Sequence, residues 1–185
     1  MDAVSDEALV RECLAGQRTY QEMFYKKFCW KMMGVCMRYS KNKEEAEDFL
    51  QEGFVKAFTY LHSYKAKGSL EGWVRRIMVN TILDGMRKKS LMFKVVDIEE
   101  AGNAAHAEDL LSDISVQDLV ALIQELAPGY RTVFNLFAVE GFTHKEIGAR
   151  LGISEGTSKS QFAMARKILR EKIDEQFKDV TITRG

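Results

Sequence analysis

The chain has 185 residues, enough for one large domain or two small ones at roughly 100–200 residues per domain. It carries 27 basic and 27 acidic residues, and its composition of 46% hydrophobic and 29% charged residues excludes a disordered or fibrous protein. No apolar run reaches the ~20 residues needed to cross a bilayer. The stretch MDAVSDEALVREC lacks a basic-then-apolar leader, so a cytoplasmic protein without membrane insertion is expected.

Pro128 is the only proline, and strand-type alternation is weak throughout, so the reading is all-α. The three cysteines, Cys13, Cys29 and Cys36, are an odd number and argue against a disulfide scaffold. They are expected to be buried thiols. His62, His106 and His144 have no ligand spacing to a cysteine, so no metal site and no cofactor are expected.

The neutral total hides a charge pattern. Residues 60–90 hold seven basic and two acidic residues, net +5; residues 91–130 hold one basic and eight acidic, net −7; residues 131–185 hold ten basic and seven acidic, net +3. Two basic lobes, each a possible polyanion-binding surface, therefore flank an acidic middle. Residues 94–113 lack a sustained helical period and read as a linker. The expected organisation is a helical domain over 1–93, a flexible acidic linker over 94–114 and a second helical domain over 115–185.

In chain order, Ser5 can cap a short helix running to about Ala15. A helix from about Thr19 to Arg38 carries Met23, Phe24, Phe28, Trp30, Met32, Met33 and Cys36, and is expected to be mostly core. Next, Asn42 and Glu45 form a capping pair, and Ala46, Phe49, Leu50, Gly53, Phe54, Ala57, Phe58 and Leu61 keep the i, i+3, i+4, i+7 rule. The opposite face holds Glu44, Glu47, Asp48, Gln51, Glu52 and Lys56. Two readings fit it: a solvated surface, the usual fate of such charges, or an acidic docking face for a basic partner.

The polar loop 62–69 contains Tyr64, Lys65 and Lys67. Ser69 then opens a helix to Lys89, apolar at Leu70, Trp73, Val74, Ile77, Met78, Thr81, Ile82 and Met86. Its outer face shows Arg75, Arg76, Asn80, Asp84, Arg87 and Lys88, with Arg76, Asn80 and Arg87 on one stripe at i, i+4 and i+11. Arg and Lys suit phosphate, and Asn can read a base edge. Favourable interaction with the helix dipole explains Arg87, Lys88 and Lys89 at the C-terminal end, but not Arg75 and Arg76 in the first half.

In the last third, Ser115 opens a helix through Leu126, Ala127-Pro128-Gly129 breaks it, and a second helix runs from Tyr130 to about Val139. Thr143 and Glu146 form a capping box before HKEIGARL, Gly152 supplies a left-handed turn, and Ser154 caps the final helix. This is the helix-turn-helix pattern, alongside the plainer possibility of an ordinary helical hairpin. In such a motif the second helix enters the major groove near its N-terminus. The exposed candidates there are Glu155, Thr157, Lys159, Ser160 and Gln161, with Arg166 and Lys167 further on; residues 154–170 carry four basic residues and one acid.

At this point the residues resemble the extracytoplasmic-function sigma factors, a branch of the bacterial sigma-70 family. EEAEDFLQEGFVKAF resembles the sigma region two helix that grips the β′ clamp of RNA polymerase. GSLEGWVRRIMVNTILDGMRKK resembles the part that opens and reads the minus-ten element. LAPGYRTVFNLFAVEGFTHKEIGARLGISEGTSKSQFAMARKIL resembles region four, which reads the minus-thirty-five element. The resemblance implies a non-catalytic initiation factor whose partners are core polymerase (β′ clamp and β flap), promoter DNA and an anti-sigma factor. It implies polymerase contacts at Asp48, Gln51 and Glu52. Minus-ten contacts are implied at Tyr64, Lys65, Arg75, Arg76, Asn80, Arg87 and Lys88, the loop 62–69 helping to capture a flipped base. Minus-thirty-five contacts are implied at Thr157, Lys159, Ser160, Gln161 and Arg166.

Two departures matter. Ser158 stands where the family commonly has a hydrophobic residue, and a looser recognition helix is expected from it. Gln161 stands where the family often has Arg, and Gln prefers adenine where Arg bonds guanine, so no particular upstream sequence carries over. The acidic linker lies where the family threads polymerase toward the RNA exit, where its charge would mimic nascent RNA. The competing reading is a stand-alone helix-turn-helix regulator, which leaves the acidic and basic helices of the first lobe without a purpose. An enzyme finds no support in any nucleophile–base pair, phosphate loop or metal spacing.

Overall fold

The computed structural model describes residues 4–88 and 115–177, and no strand occurs among them. The chain divides into two units, Met1–Lys88 and Lys89–Gly185. The expected linker, 94–114, lies outside the described residues.

In the first unit, Ser5 Oγ accepts the Ala8 N–H and starts α1, Asp6–Leu14. Helix α2 is Arg18–Tyr39, and α3 is Lys43–Tyr60. Asn42 Oδ1 accepts the Glu45 N–H at 3.0 Å, while Glu45 Oε2 accepts the N–H of Lys41 at 2.8 Å. The expected capping pair therefore forms with its return bond one residue further back. A 3₁₀ turn, Leu61–Ser63, leads through the loop to α4, Leu70–Lys88.

The apolar spacing of α3 is met: Ala46, Phe49, Leu50, Gly53, Phe54 and Ala57 are buried. Helix α2 contributes Phe24, Phe28, Met32, Val35, Cys36 and Tyr39. Phe24 lies 5.0 Å from Phe28 and 5.2 Å from Phe58, centroid to centroid, at the centre of the core. The expectation for the rest of α2 is corrected: Trp30 is 83% exposed and Met23 is also exposed. Residues 24, 28, 32, 35, 36 and 39 already fill the inward stripe at a 3.6-residue period, and Trp30 falls on the opposite side of the helix. Cys13 and Cys36 are buried as expected, and burial pushes the Cys36 thiol up to about 12. Cys29 is only half-buried.

Helices α3 and α4 meet through two reciprocal glycine seats. A Cβ on Gly53 of α3 would lie 2.1 Å from Met78 Sδ of α4, and a Cβ on Gly85 of α4 would lie 2.6 Å from the Phe49 ring of α3. Each helix thus receives a large side chain where its partner has none, and the backbones approach closely.

In the second unit, α5 is Val116–Glu125, capped by Ser115, and α6 is Pro128–Phe134, with Pro at its start. The helix expected through Val139 instead widens into a π turn over Asn135–Val139. Arg131, buried, donates from Nε and Nη2 to the Leu126 carbonyl and ties α6 to the end of α5. Helix α7 is His144–Leu151 and α8 is Glu155–Phe177. The core joins Leu122, Ile123 and Leu126 to Ala165 and Leu169. Lys172 of α8 pairs with Glu125 of α5. Among the described residues, no helix is long and apolar enough to cross a membrane.

The glycine seats give a prediction of opposite signs. Gly34 has nothing within 4 Å of its Cβ position, so Gly34→Ala should stabilise the first unit by about 0.5–1 kcal/mol through helix propensity. Gly85→Ala should destabilise it by about 1–2 kcal/mol, because the Phe49 ring must move. Both tryptophans lie in the first unit, so urea midpoints followed by tryptophan fluorescence check both signs.

Candidate nucleic-acid interface

The loop before α4 is closed on itself. Tyr64 Oη donates to the Gly68 carbonyl at 3.0 Å, and its ring meets Trp73 edge-on at 5.7 Å. Ala66 and Gly68 between them take left-handed backbone, at φ 54° and 97°. A non-glycine residue resists that conformation by roughly 1–2 kcal/mol, which the closure must offset. Lys65 and Lys67 are exposed. Tyr64 is half-buried against the first turns of α4, so it shapes the loop as well as lining it. Ser69 Oγ accepts the Gly72 N–H at 3.1 Å and begins α4 where the sequence places it.

Along α4, Arg76, Asn80 and Arg87 are all exposed, so the predicted stripe faces outward. Arg87 Nη2 pairs with Asp84 at 2.7 Å, and Arg75 is half-buried. The Lys88 side chain lies outside the described residues. On α3, Asp48, Gln51 and Glu52 are exposed, with Glu52 paired to Lys56 at 2.9 Å. Sequence reasoning missed Val55, which is 66% exposed on this acidic face. Its signal was present: it lies seven residues after Asp48, outside the buried stripe.

The second unit builds its turn from caps. Thr143 Oγ1 accepts the Glu146 N–H at 3.3 Å, and Glu146 Oε2 accepts the Thr143 N–H at 2.8 Å. The Thr143 backbone N–H, with the side-chain hydroxyl, holds the Glu146 carboxyl below the usual carboxylate range. Gly152 takes φ 71°, and a Cβ on Gly148 would lie 2.8 Å from the Ile153 carbonyl, so α7 passes close under the turn. Ser154 Oγ accepts the Thr157 N–H at 2.9 Å and starts α8.

The five candidate residues of α8 do not share one environment. Lys159 is exposed and pairs with Glu155 at 2.7 Å, a hydrogen bond that holds the Glu155 carboxyl low. Thr157 Oγ1 is 2.8 Å from Ser154 Oγ, and Ser160 Oγ donates to the Thr157 carbonyl at 3.0 Å; both residues are half-buried. Arg166 sits 5.8 Å over the Phe162 ring. Gln161 is half-buried with its carboxamide beside Gly129 of α6, and its Oε1 is buried without a hydrogen-bond partner.

Ser158 is fully buried, and its Oγ is 3.0 Å from His144 Nδ1. The expected loosening is therefore answered by a hydrogen bond joining the two helices of the motif. The His144 ring stacks on Phe137 with centroids 4.2 Å apart and planes at 10°, and both rings pack on Phe162. Burial, then the Lys159 charge, lower the His144 pKa from its ordinary 6.5, with Glu155 opposing. Among the described residues, no group of His, Cys, Asp and Glu is arranged to hold a metal.

Residues 25–92 match the family model for sigma-70 region 2, and residues 117–169 match that for sigma-70 region 4. The ECF RNA polymerase sigma factor SigE of Mycolicibacterium smegmatis is 30% identical over 176 residues, covering 92% of this chain and 65% of that protein. This chain thus spans slightly under two thirds of that relative's length. SigW of Bacillus subtilis, also an ECF sigma factor, is 28% identical over 167 residues, covering 83% of this chain and 84% of the relative. Among solved structures, the Bartonella quintana sigma factor RpoE, crystallised with the anti-sigma factor NepR, aligns at a TM-score of 0.49 and 23% identity, covering 81% of this chain and 94% of that one.

The His144 environment predicts a pH dependence. Its folded pKa lies below 6.5, so the unfolded chain binds the proton more readily. The stability it contributes is complete above pH 6.5 and is lost as pH falls through the folded value. The difference in urea midpoint between the parent and His144→Gln, followed by far-ultraviolet circular dichroism, should shrink across that window. A difference independent of pH there would remove the assignment.

Proposed function

The chain belongs to the sigma-70 family, in its extracytoplasmic-function branch, a family of non-catalytic initiation factors, and we propose that it binds core RNA polymerase and directs initiation at specific promoters. The observation that carries this reading is the pairing, within one unit, of an exposed acidic face on α3 with an exposed Arg-Asn-Arg stripe on α4, in a chain whose other unit is a capped helix-turn-helix. A stand-alone regulator uses only the last of these.

In this reading Asp48, Gln51 and Glu52 meet the β′ clamp, and the carboxylates supply charge complementarity that steers docking and fixes register. Val55 adds an apolar contact at the centre of that face. Arg76, Arg87, Lys88 and Lys65 neutralise phosphates near the minus-ten element, and Asn80 and Tyr64 sit where an unstacked base can be held. Arg75, half-buried, supports the same surface. In the second unit α8 enters the major groove of the minus-thirty-five element. Lys159 and Arg166 supply cations there, Thr157 and Ser160 small polar contacts, and Gln161 a carboxamide that must leave its place beside Gly129 to reach a base. The second unit would also meet the β flap. An anti-sigma factor would hold the free protein inactive by covering these surfaces. The chain itself contributes no catalytic group, and the protein works in the cytoplasm, where polymerase and promoters are.

Reversing charge with Asp48→Lys and Glu52→Lys should weaken binding to core polymerase by about tenfold or more, some 1.4 kcal/mol, without changing helicity. Polymerase pull-down titrations and circular dichroism measure the two. The parent alone should bind promoter duplex poorly and gain affinity when core polymerase is added. Tight, two-fold-symmetric duplex binding without polymerase would instead establish a stand-alone regulator.

A further inference from the structure

One prominent surface feature remains outside this account. From Met23 to Tyr39, α2 carries Lys26, Lys27, Lys31 and Arg38 and no carboxylate. On its outward side Trp30, 83% exposed, stands between Lys26 and Lys27 one turn before it and Lys31 beside it, all three exposed. One turn after it comes Gly34, whose Cβ position has nothing within 4 Å, so the space beyond the indole is open. A bare tryptophan is costly to leave in water, and its inward neighbours already complete the core without it.

The surroundings of the indole select its occupant. A flat aromatic ring among cations, with no acid on the stripe, matches a polyanion whose aromatic bases are free to stack. Duplex DNA does not meet that need, because its bases are stacked on one another. A protein groove would cover an apolar helix face, yet here the indole is ringed by lysine. The location agrees: Lys31 Nζ pairs with Glu71 of α4 at 2.5 Å, so this turn of α2 is anchored to the first turn of the helix that carries the Arg76–Asn80–Arg87 stripe. Lys27 is likewise held, by Asp6 of α1 at 2.6 Å, which fixes the helix face while leaving Lys26 and the indole outward.

We propose that Trp30 is a stacking platform for a base of single-stranded DNA, with Lys26 and Lys27 neutralising the adjoining phosphates, and that it extends the minus-ten surface from α4 onto α2. The inference rests on the sigma-factor reading for its source of single strand, the non-template strand of a melted promoter. Stacking needs an aromatic ring and not merely apolar area. Leucine and phenylalanine therefore separate it from burial in a protein groove.

The test uses the full chain with core polymerase and a fork-junction DNA, with a single-stranded non-template tail, made from a promoter that the reconstituted enzyme selects. Trp30→Ala and Trp30→Leu should each weaken fork binding about tenfold, Trp30→Phe less than threefold, with core affinity and duplex binding unchanged. In the free chain, Trp73→Phe leaves Trp30 as the sole indole, and its fluorescence should be quenched by single-stranded oligothymidylate, less so at high salt. Equal fork affinities for parent and Trp30→Ala would overturn the proposal. So would a loss of core affinity in Trp30→Ala, which would make the face a protein contact, or full retention by Trp30→Leu. Failure of the parent to join polymerase strikes the sigma-factor reading instead; the oligothymidylate quench then decides the stacking site alone.

Discussion

The first unit depends on how closely α3 and α4 can approach. Gly53 accepts Met78 and Gly85 accepts Phe49, so two large side chains are seated across one seam in opposite directions. Interlocking of that kind resists both sliding and rotation, because either movement drives a side chain into backbone. The acidic face of α3 and the basic stripe of α4 are outer faces of the same seam. Their separation and angle are consequently fixed by apolar packing, and neither charged face needs to stabilise the fold. Surface ion pairs such as Lys56–Glu52 and Arg87–Asp84 contribute little to stability and are free to be exchanged for contacts with a partner.

The second unit achieves its precision with polar groups. The capping box at Thr143, the buried Ser158–His144 bond and the Arg131 tie to Leu126 each satisfy groups that would be costly to leave unpaired. Ser158 and His144 replace an apolar contact between the two helices of the motif by a directional one. The orientation of α8 relative to α7 is then set by an angle as well as by a volume.

What the sequence disclosed follows from periodicity. Helix α3 was legible because Ala46 through Ala57 mark one face without interruption, and α7 because Thr143, Glu146 and Gly152 are punctuation with a local cause. Helix α2 was legible as a helix but not by its facing. Apolar residues occur all around it, so only tertiary contacts distinguish Phe28 from Trp30. The polar interior of α6, with Arg131, Thr132 and Asn135 buried, carries no sequence signal, because its partners are backbone carbonyls. The candidate site was readable as charge on a surface: Asp48, Arg76, Asn80 and Lys159 are outward, as their spacing requires. Gln161 was not, because its packing beside Gly129 depends on a helix thirty-two residues earlier in the chain.

The π turn at 135–139 sets a length rule. Its wide loop is closed by the Glu140 N–H on the Asn135 carbonyl at 2.9 Å, an i to i−5 bond that accommodates one residue more than an α turn. That surplus residue advances the phase of everything after it and brings the Phe137 ring flat against the imidazole. Losing a single residue here would yield a more regular helix and a misdirected phenyl group. Evolution can vary the chemistry of this segment more freely than its count.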